Sequence, residues 1–307
     1  MQGQKLPGGG DGGPGELRVV ATPIGNLSDV SARVRDSFAW AEVAFCEDTR
    51  RTQQLCRALG IPTPALERLD AHAAPAKLDA AAERLARGAR GVLVTDAGTP
   101  GVSDPGAALV ERALGLGVRV SPIPGPSAVA ALVSVSGFSG VSFVFRGFFP
   151  RSAGERAREV ALCASSPVSQ VFAWFESPER VVSALAALAE SAPEGTRCVA
   201  AKELTKLHER LFPGSVAEVE AAVRAEIDRE GARGEWAFVV CFPTVTKDEE
   251  AEAPESLNWN KALELLLEAN VSPSDAARSV SQTFAVGKKR VYEAALCLSR
   301  KKSPRGG

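Results

Sequence analysis

Short apolar segments alternate with helical patterns through the first half of this sequence, and most of these segments end in loops of unusual composition. The apolar segments are Leu17–Ala21, Val43–Cys46, Leu66–Leu69, Gly91–Thr95 and Val118–Ile123. The helical patterns include Thr52–Leu59, Lys77–Arg87, Ala107–Leu116 and Ser127–Val135. Nearly continuous apolar strands that alternate with helices are typical of a parallel sheet covered on both faces. The alternation therefore predicts an α/β domain over residues 17–140.

A second α/β domain is predicted over residues 141–246. Its candidate strands are Phe143–Phe148, Val171–Phe175, Arg197–Glu203, His208–Phe212 and Trp236–Phe242. Several of them follow each other closely, and short connections join antiparallel neighbours, so this sheet should be mixed or antiparallel. The clearest helical patterns between them are Arg180–Glu190 and Val216–Glu226.

The remaining segments differ in composition from both predicted domains. Residues 1–16 are glycine-rich and predict a disordered extension that is neither a signal peptide nor a membrane anchor. Residues 247–256 predict a charged, solvated linker. Residues 257–307 predict a small basic helical domain with helices over Asn258–Glu268, Ser274–Phe284 and Lys288–Leu298.

Composition excludes several classes of protein. A hydrophobic fraction of 45% with a formal net charge of −1 is typical of a folded globular chain and not of a disordered or fibrous one. No apolar run is long enough for a membrane span, so a cytoplasmic protein is expected. The six cysteines are scattered without a C-x-x-C pair and there are two histidines, which favours reduced thiols and no metal site.

Four of the loops that follow the first-domain strands have unusual residues. They are Thr22–Leu27, Glu47–Arg51, Asp96–Gly106 and Pro124–Ala128. The carboxyl ends of parallel strands share one edge of the sheet, and open α/β sheets bind their ligands at that edge. Glycines permit close approach of the backbone to a ligand and prolines stiffen the path. One such loop alone would be explained by a tight turn, but four together predict a ligand site.

Known phosphate and dinucleotide motifs do not fit these loops. The sequence contains no G-x-x-x-x-G-K-[ST]. The first loop reads TPIGNL and not G-x-G-x-x-G, although Glu47 lies where an acid that binds ribose would be expected. A nicotinamide enzyme therefore stays as an alternative with little support.

Eight motifs together carry a resemblance to a known family. They occur in the order ATPIGNLSDVSARV, CEDTRRTQQL, VTDAGTPGVSDPG, PIPGPSA, FRGFFP, FESPER, AKELTK and RGE. Together they resemble the ribosomal RNA small subunit methyltransferase I family, within the tetrapyrrole methylase superfamily. The resemblance extends from about Leu17 to Phe242, and GKKRVYEAAL is similar to the family's small C-terminal helical domain.

The resemblance implies a fold, a reaction and a cofactor. The fold would be two αβα domains with S-adenosylmethionine in the cleft between them, usually in a homodimer. The reaction would be methylation of the ribose 2′-hydroxyl of a decoding-centre cytidine in 16S rRNA. The residues that the resemblance implies for cofactor binding are Pro23, Asp96, Ala97, Gly98, Thr99, Val102, Ser127, Ala128, Phe175, Glu176 and Leu204.

Candidate catalytic residues follow from the chemistry of methyl transfer. An in-line displacement depends mainly on alignment, but a ribose hydroxyl is a poor nucleophile and benefits from a base or a nearby cation. The candidates are Glu47, Asp48, Arg50 and Lys202, with Arg50 contacting phosphate or orienting a carboxylate and Lys202 lowering the pKa of the hydroxyl. An ion-pair network that ties loops to strands is the alternative interpretation of the same residues.

Basic residues outnumber acidic ones after Ser256. Such an excess is the electrostatic signature of phosphate contact, and Arg278, Lys288, Lys289 and Arg290 are the candidate RNA-binding residues. A solvated face on a small helical domain would explain the same excess.

The sequence departs from the family pattern at three places. The loop Asp70–Lys77 matches the family's histidine-rich pattern only at His72, Glu179 replaces a common histidine, and Arg146 replaces a common acidic residue. Two further functions stay open at this point: a methyltransferase of the same fold that acts on a tetrapyrrole or another small molecule, and a non-catalytic RNA-binding protein of ribosome assembly.

Overall fold

The computed structural model describes residues 15–138, 142–166, 170–243, 259–269, 271–284 and 287–301. The chain forms two compact units, Met1–Thr244 and Val245–Gly307. Both sheets belong to the first unit, and the second unit contains three helices. The predicted N-terminal extension, up to residue 14, and the predicted linker over residues 247–256 lie outside the described residues.

The first sheet is entirely parallel, as the alternation of strands and helices predicts. Its five strands are β1 (Glu16–Val20), β2 (Val43–Cys46), β3 (Ala65–Arg68), β4 (Arg90–Leu93) and β5 (Arg119–Ile123). Their order in the sheet is β3-β2-β4-β1-β5. The helices that accompany them are α1 (Ala32–Trp40), α2 (Thr49–Leu59), α3 (Pro75–Ala86), α4 (Ala107–Gly115) and α5 (Ala128–Val135).

Both faces of this sheet are buried, which explains why its strands are apolar throughout. Leu17 and Phe45 pack on one face with helices α3 and α4. Val20 and Val92 pack on the opposite face with Phe38 of α1. Helix α1 begins directly after Ser31, whose hydroxyl accepts a hydrogen bond from the Val34 N–H and so satisfies a free donor at the helix start.

The second sheet is mixed, and this confirms the prediction from strand spacing. It contains β6 (Ser142–Phe148), β7 (Gln170–Glu176), β8 (Arg197–Lys202), β9 (Arg210–Ser215) and β10 (Trp236–Cys241) in the order β6-β7-β10-β8-β9. Strands β6 and β7 are parallel, and the other neighbouring pairs are antiparallel. Helices α6 (Ala153–Ala164), α7 (Val181–Ser191) and α8 (Val216–Glu230) complete this half.

Helix α5 connects the two halves of the first unit. Its Val129 and Leu132 are buried against Val171, Val199 and Val239 of the second sheet. The other face of that sheet packs against α6, α7 and α8. The second sheet is therefore covered on one face by a helix that follows the first sheet, and the two halves share apolar contacts.

The described residues of the second compact unit form α9 (Trp259–Glu268), α10 (Pro273–Phe284) and α11 (Lys288–Lys301). Leu263, Ala277 and Val291 lie in its small apolar core. Within the described residues of both units, no helix is long and apolar enough to cross a membrane.

A buried ion-pair network attaches α8 to the second sheet. The Lys202 Nζ donates hydrogen bonds to Glu226 Oε1 at 2.9 Å and to Glu230 Oε2 at 2.8 Å. The Glu226 carboxylate also accepts hydrogen bonds from Arg210 and Arg229. Both the Lys202 and the Glu226 side chains are at least 95% buried. Removing one member of such a pair leaves a buried charge without compensation.

We expect Glu226→Gln to lower the free energy of unfolding by about 3 kcal/mol, because Lys202 would lose one of two carboxylate partners in a buried position. Glu220→Gln is the matched control in the same helix, since its ion pair with the half-exposed Arg224 should contribute about 0.5 kcal/mol. Urea denaturation of both variants measures the difference. Equal effects of the two substitutions would show that the network adds no stability.

Candidate active site

Three loops of the first sheet are joined by hydrogen bonds at its carboxyl edge. The Thr22 N–H donates to the Gly98 carbonyl at 2.8 Å, and the Gly98 N–H donates to the Thr22 carbonyl at 3.1 Å. The Thr99 hydroxyl donates to the Pro126 carbonyl at 3.1 Å. The loops after β1, β4 and β5 therefore form one continuous backbone surface.

Gly98 has a backbone conformation that favours glycine. Its φ angle is +86°. A β-carbon at this position would lie 3.4 Å from Ile24 Cγ2 and 4.0 Å from the Pro126 carbonyl oxygen. A side chain here would therefore strain the backbone and occupy space between the loops.

The second sheet supplies an apolar wall opposite this backbone surface. Phe175 lies at the end of β7, with its ring 4.8 Å from Phe145 and 5.9 Å from Phe148 between centroids. Phe148 is 59% exposed, which leaves its ring accessible at the edge of the wall. Aromatic rings of this kind contribute large apolar contact areas to ligand sites.

A pocket of about 380 Å³ lies between the two sheets, within the range of small-molecule sites. It is lined by Ile24, Ala97, Ser103, Asp104, Ala128, Phe148, Phe175, Glu176, Ser177, Pro178, Ala201, Leu204, Gly234, Glu235, Trp236 and Ala237. The lining combines loop backbone from the first sheet with apolar side chains from the second. This combination suits a ligand with an aromatic part and a polar part.

The loop after β8 reaches across to the first sheet. A β-carbon on Gly25 would lie 2.2 Å from Lys206 Cγ and 3.1 Å from Thr205 Oγ1, so this close approach requires glycine at position 25. Lys206 is held between Glu203 at 2.8 Å and Glu235 at 3.1 Å. Glu203 and Thr205 both have positive φ angles, of 56° and 67°. Such strain at non-glycine residues persists only where surrounding contacts impose it.

Acidic side chains converge beside the pocket, at the ends of β2 and β4. The Asp96 carboxylate accepts a hydrogen bond from the Asp48 N–H at 3.2 Å and lies 3.3 Å from the Arg51 guanidinium. Asp48 is the N-cap residue of α2, and the hydrogen bond that its carboxylate accepts from the Arg50 N–H lowers the pKa of this carboxyl. The Thr95 hydroxyl donates to Glu47 Oε2 at 3.1 Å.

Asp104 is the acidic residue of this group that lines the pocket. Partial burial raises the pKa of its carboxyl to about 6, the negative charges of Glu47 and Asp96 act in the same direction, and a hydrogen bond with Thr95 opposes them. Asp104 belongs to the VTDAGTPGVSDPG motif, but no role is predicted for it from the sequence. Loop composition alone contains no signal for the direction of a side chain.

The structure brings five of the predicted cofactor-binding residues to the pocket wall: Ala97, Ala128, Phe175, Glu176 and Leu204. Asp96, Gly98 and Thr99 lie in the same loop as Ala97, with the hydrogen bonds described above. Pro23, Val102 and Ser127 do not line the pocket, and the Ser127 hydroxyl caps α5 by accepting from the Ala130 N–H at 3.5 Å.

The Glu176 side chain has a structural role, although the residue lines the pocket. Its carboxylate is fully buried. It accepts hydrogen bonds from the Ser177 N–H at 2.7 Å and from Arg180 Nη2 at 2.5 Å. Arg180 Nη2 also donates to the Phe149 carbonyl at 2.5 Å. The carboxylate is therefore occupied by protein donors.

None of the four predicted catalytic residues lines the pocket. Glu47 and Asp48 lie in the acidic group beside it, and the Arg50 side chain is 88% exposed. Lys202 lies on the opposite face of β8: neighbouring Ala201 lines the pocket, and successive side chains of a strand point to opposite faces.

The charge state of Lys202 also fits its structural position. Burial lowers the pKa of its ammonium, but hydrogen bonds to Glu230 and Glu226 outweigh this effect, so the pKa lies above its usual value. These contacts agree with the alternative interpretation of Lys202 as a member of an ion-pair network, and its action on a substrate hydroxyl stays a prediction.

One departure from the family pattern has a structural explanation. Arg146 makes two hydrogen bonds to Glu159, at 2.7 and 2.8 Å, and Trp174 Nε1 donates to the same carboxylate at 3.1 Å. These bonds hold the pKa of the Glu159 carboxyl below its usual range. In the other unusual loop, the His72 residue is exposed, and its backbone N–H donates to Asp70 Oδ1 at 3.0 Å.

The predicted RNA-binding residues belong to the second compact unit. Lys288, Lys289 and Arg290 are exposed in the first turn of α11, which contains no acidic residue. Arg278 of α10 is exposed and lies 3.5 Å from Asp275. In the part of the chain that the structure describes, no three His, Cys, Asp or Glu side chains are arranged to hold a metal ion.

Comparison with known proteins places the chain in a family. The model of the tetrapyrrole (corrin/porphyrin) methylases matches residues 16–220. The ribosomal RNA small subunit methyltransferase I of Xylella fastidiosa strain Temecula1 is 35% identical over 279 residues, which cover 91% of this chain and 98% of that protein. The protein of the same name from Neisseria meningitidis serogroup A is 37% identical over 287 residues, 94% of this chain and 95% of that one.

A solved structure agrees at the level of the fold. A conserved hypothetical protein from Aeropyrum pernix K1 superposes with a TM-score of 0.53 at 18% identity, over 78% of this chain and 88% of that one. Three findings lead to one assignment: sequence identity over nearly the full length of the relatives, the matching family model, and a pocket to which seven of the eight motifs contribute residues. The chain belongs to the ribosomal RNA small subunit methyltransferase I family, within the tetrapyrrole methylases.

Proposed function

We propose that this methyltransferase transfers a methyl group from S-adenosylmethionine to the ribose 2′-hydroxyl of a decoding-centre cytidine in 16S rRNA. The observation that carries the proposal is the pocket between the two sheets, because the family motifs around Ala97, Ala128, Phe175 and Leu204 converge on it. Family membership supports the reaction class, and the names of the relatives support an rRNA substrate.

The pocket suits S-adenosylmethionine in both size and chemistry. The Phe175 ring and the Leu204 and Ala237 side chains offer an apolar wall for an adenine ring. The backbone of Asp96–Thr99, held open by the glycine at position 98, offers polar groups to the ribose and methionine parts. When bound, the cofactor supplies a methyl group on a positively charged sulfur.

The residues around the pocket would act mainly by alignment. Transfer in line requires the attacking oxygen, the methyl carbon and the sulfur to be held in one geometry, and such positioning can account for much of a rate enhancement. Fixed loops joined by the Thr22–Gly98 hydrogen bonds provide a rigid support for one reactant. In this proposal, exposed Arg50 contacts a phosphate of the RNA substrate.

The basic first turn of α11 would bind RNA backbone. Three cations at the N-terminal end of a helix are unfavourable for the helix itself, because the helix dipole is positive there. Lys288, Lys289 and Arg290 nevertheless occupy this turn. The same arrangement attracts phosphate groups, since both the side chains and the free N–H groups favour an anion. Arg278 of the same unit adds a further cation.

A homodimer completes the proposal, as the resemblance to the family implies. Light scattering at micromolar concentration measures the mass directly, and the mass of a monomer would contradict this part.

We expect the purified protein to methylate small ribosomal subunits from a strain that lacks the gene, with radiolabelled S-adenosylmethionine as donor. Mapping of 2′-O-methylation should locate the product at one cytidine of the decoding centre. Methylation at a base, or at another region of 16S rRNA, would contradict the proposed substrate. Transfer to a tetrapyrrole but not to RNA would favour the small-molecule alternative.

Cofactor binding should depend on the backbone of the loop after β4. Gly98→Val combined with Asp96→Ala should abolish binding of S-adenosylmethionine in calorimetry, because a branched side chain would strain the positive φ angle and fill the space beside Ile24. Gly117→Val is a suitable control for backbone strain, since its φ is +73° and no heavy atom lies within 4 Å of its β-carbon position. Unchanged affinity in the folded double variant would contradict the location of the site.

Neutralising the α11 cluster, Lys288→Gln with Lys289→Gln and Arg290→Gln, should weaken RNA binding and leave cofactor affinity unchanged. Three lost phosphate contacts should flatten the slope of log affinity against log salt by about 2, because fewer counterions are released. Filter binding over a series of salt concentrations measures both effects.

The control for the α11 cluster removes the same number of charges from helices of the first unit. Arg87, Arg158 and Arg224 are exposed there and can each be replaced by glutamine. An equal loss of RNA affinity in both triple variants would show that net charge alone governs binding. An unchanged salt slope in the α11 variant would show that this cluster is only a solvated face.

A further inference from the structure

Three acidic residues line the pocket: Asp104, Glu176 and Glu235. The Glu176 carboxylate is fully buried and bonded to Ser177 and Arg180. The Glu235 side chain is 72% exposed and lies 3.1 Å from Lys206 Nζ. Among the described residues that line the pocket there is no histidine or lysine. Asp104 is therefore the pocket-lining group that has the chemistry of a base and no cationic partner in the described chain.

The loop that carries Asp104 directs this residue toward the second sheet. Ser103 has a positive φ angle of 64°, so the chain turns sharply just before the aspartate. The Ser103 hydroxyl oxygen lies 3.7 Å from the position of a β-carbon on Gly147, within the irregular part of β6. Asp104 consequently lies where the first-sheet loops meet the wall formed by Phe148 and Phe175.

A threonine lies between Asp104 and a second carboxylate. The Thr95 hydroxyl donates its proton to Glu47 Oε2 at 3.1 Å, and the same side chain contacts the Asp104 carboxyl. A hydroxyl has one proton to donate and two lone pairs to accept with. Its single proton can go to Glu47 or to the Asp104 carboxylate, and the hydrogen bond to Asp104 lowers the pKa of that carboxyl. Thr95 therefore links the two carboxylates and helps to hold Asp104 in place.

The charges around Asp104 favour proton uptake. Glu47 follows β2 and Asp96 follows β4, and both are negative groups near the Asp104 carboxyl. Arg51 of α2 is paired with Asp96, Asp48 begins the same helix, and Glu176 and Glu235 face the pocket from the second sheet. Burial together with the two nearest carboxylates raises the pKa of Asp104 to about 6. A base with such a pKa is ionised at neutral pH and still accepts a proton readily.

We propose that Asp104 is the catalytic base that accepts the proton of the attacking ribose hydroxyl, with Thr95 and Glu47 as positioning residues. This inference rests on the proposed ribose methylation. In the step, a lone pair of the hydroxyl oxygen forms the bond to the methyl carbon, and the carbon–sulfur bond breaks with its electron pair remaining on sulfur. The O–H electron pair stays on the ribose oxygen. Asp104 takes the proton and later releases it to water.

The first test is Asp104→Asn, which keeps the size of the side chain and removes the base. We expect methylation of small ribosomal subunits to slow by about 100-fold or more, the usual range for loss of a positioned base. The dissociation constants for S-adenosylmethionine and for RNA should stay within about twofold of the wild-type values. Asp36→Asn, at an exposed carboxylate of α1, is the matched control and should have full activity. Full activity of Asp104→Asn would overturn the proposal.

The second test measures proton uptake directly and does not depend on activity. In protein labelled with ¹³C at aspartate carboxyls, the resonance missing from Asp104→Asn identifies Asp104, and its titration should have a midpoint near pH 6. Glu47→Gln should move this midpoint to lower pH, because removal of a neighbouring negative charge favours the ionised form. In the same Glu47→Gln variant, the acid limb of the pH profile of kcat/KM should also move to lower pH.

The two tests separate this inference from the proposed function. A wild-type protein that leaves rRNA unmethylated would contradict the proposed function, and with it the role of Asp104 in that reaction. A midpoint in the ordinary aspartate range that Glu47→Gln does not change would overturn the role of Asp104, even if the wild-type protein methylates rRNA. Should Asp104→Asn fail to fold, the pH profile of Glu47→Gln gives the same decision.

Discussion

The parallel pairing of β1 between β4 and β5 is the constraint on which the rest of the structure depends. Its register pairs Val19 with Leu93 and Val20 with Ile123, so the following loops leave the sheet side by side. The two backbone hydrogen bonds between Thr22 and Gly98 then fix those loops to each other. These contacts are made by main-chain atoms. The polar side of the pocket therefore depends on the order of the strands and on Gly98 more than on the identity of the side chains.

Local signals in the sequence account for what could be predicted. The spacing of apolar residues and the composition of the loops predicted the strands of both sheets to within a few residues. Because parallel strands point in the same direction, four loops were expected on one edge of the first sheet. Helix α1 is not among the helical patterns named from the sequence, although Ser31 is a typical first residue before a helix. Lys202, which the sequence suggested as a catalytic residue, does not line the pocket. The alternation along β8 shows that Ala201 and Lys202 face opposite sides, but only the packing of α8 shows which side is which.

The pocket itself depends on contacts that are distant in sequence. Helix α5 belongs to the first half by chain order, yet Val129 and Leu132 pack on the second sheet. The loop after β8 reaches back to Gly25 across a separation of about 180 residues. No period or motif encodes such distances. Asp104 illustrates the same limit, since its environment combines Glu47 from one strand end, Thr95 from another and a wall from the second sheet.

The double hydrogen bond between Arg146 and Glu159 has a consequence for how sequences of this family can be recombined. The resemblance to the family implies an acidic residue at position 146, and Glu159 also accepts a hydrogen bond from the indole of Trp174 in the core of the second sheet. Restoring an acid at position 146 alone would place two carboxylates against each other and release that indole. Positions 146 and 159 are therefore coupled in this chain, and a recombined sequence that supplied only one of the two residues would lose the pairing.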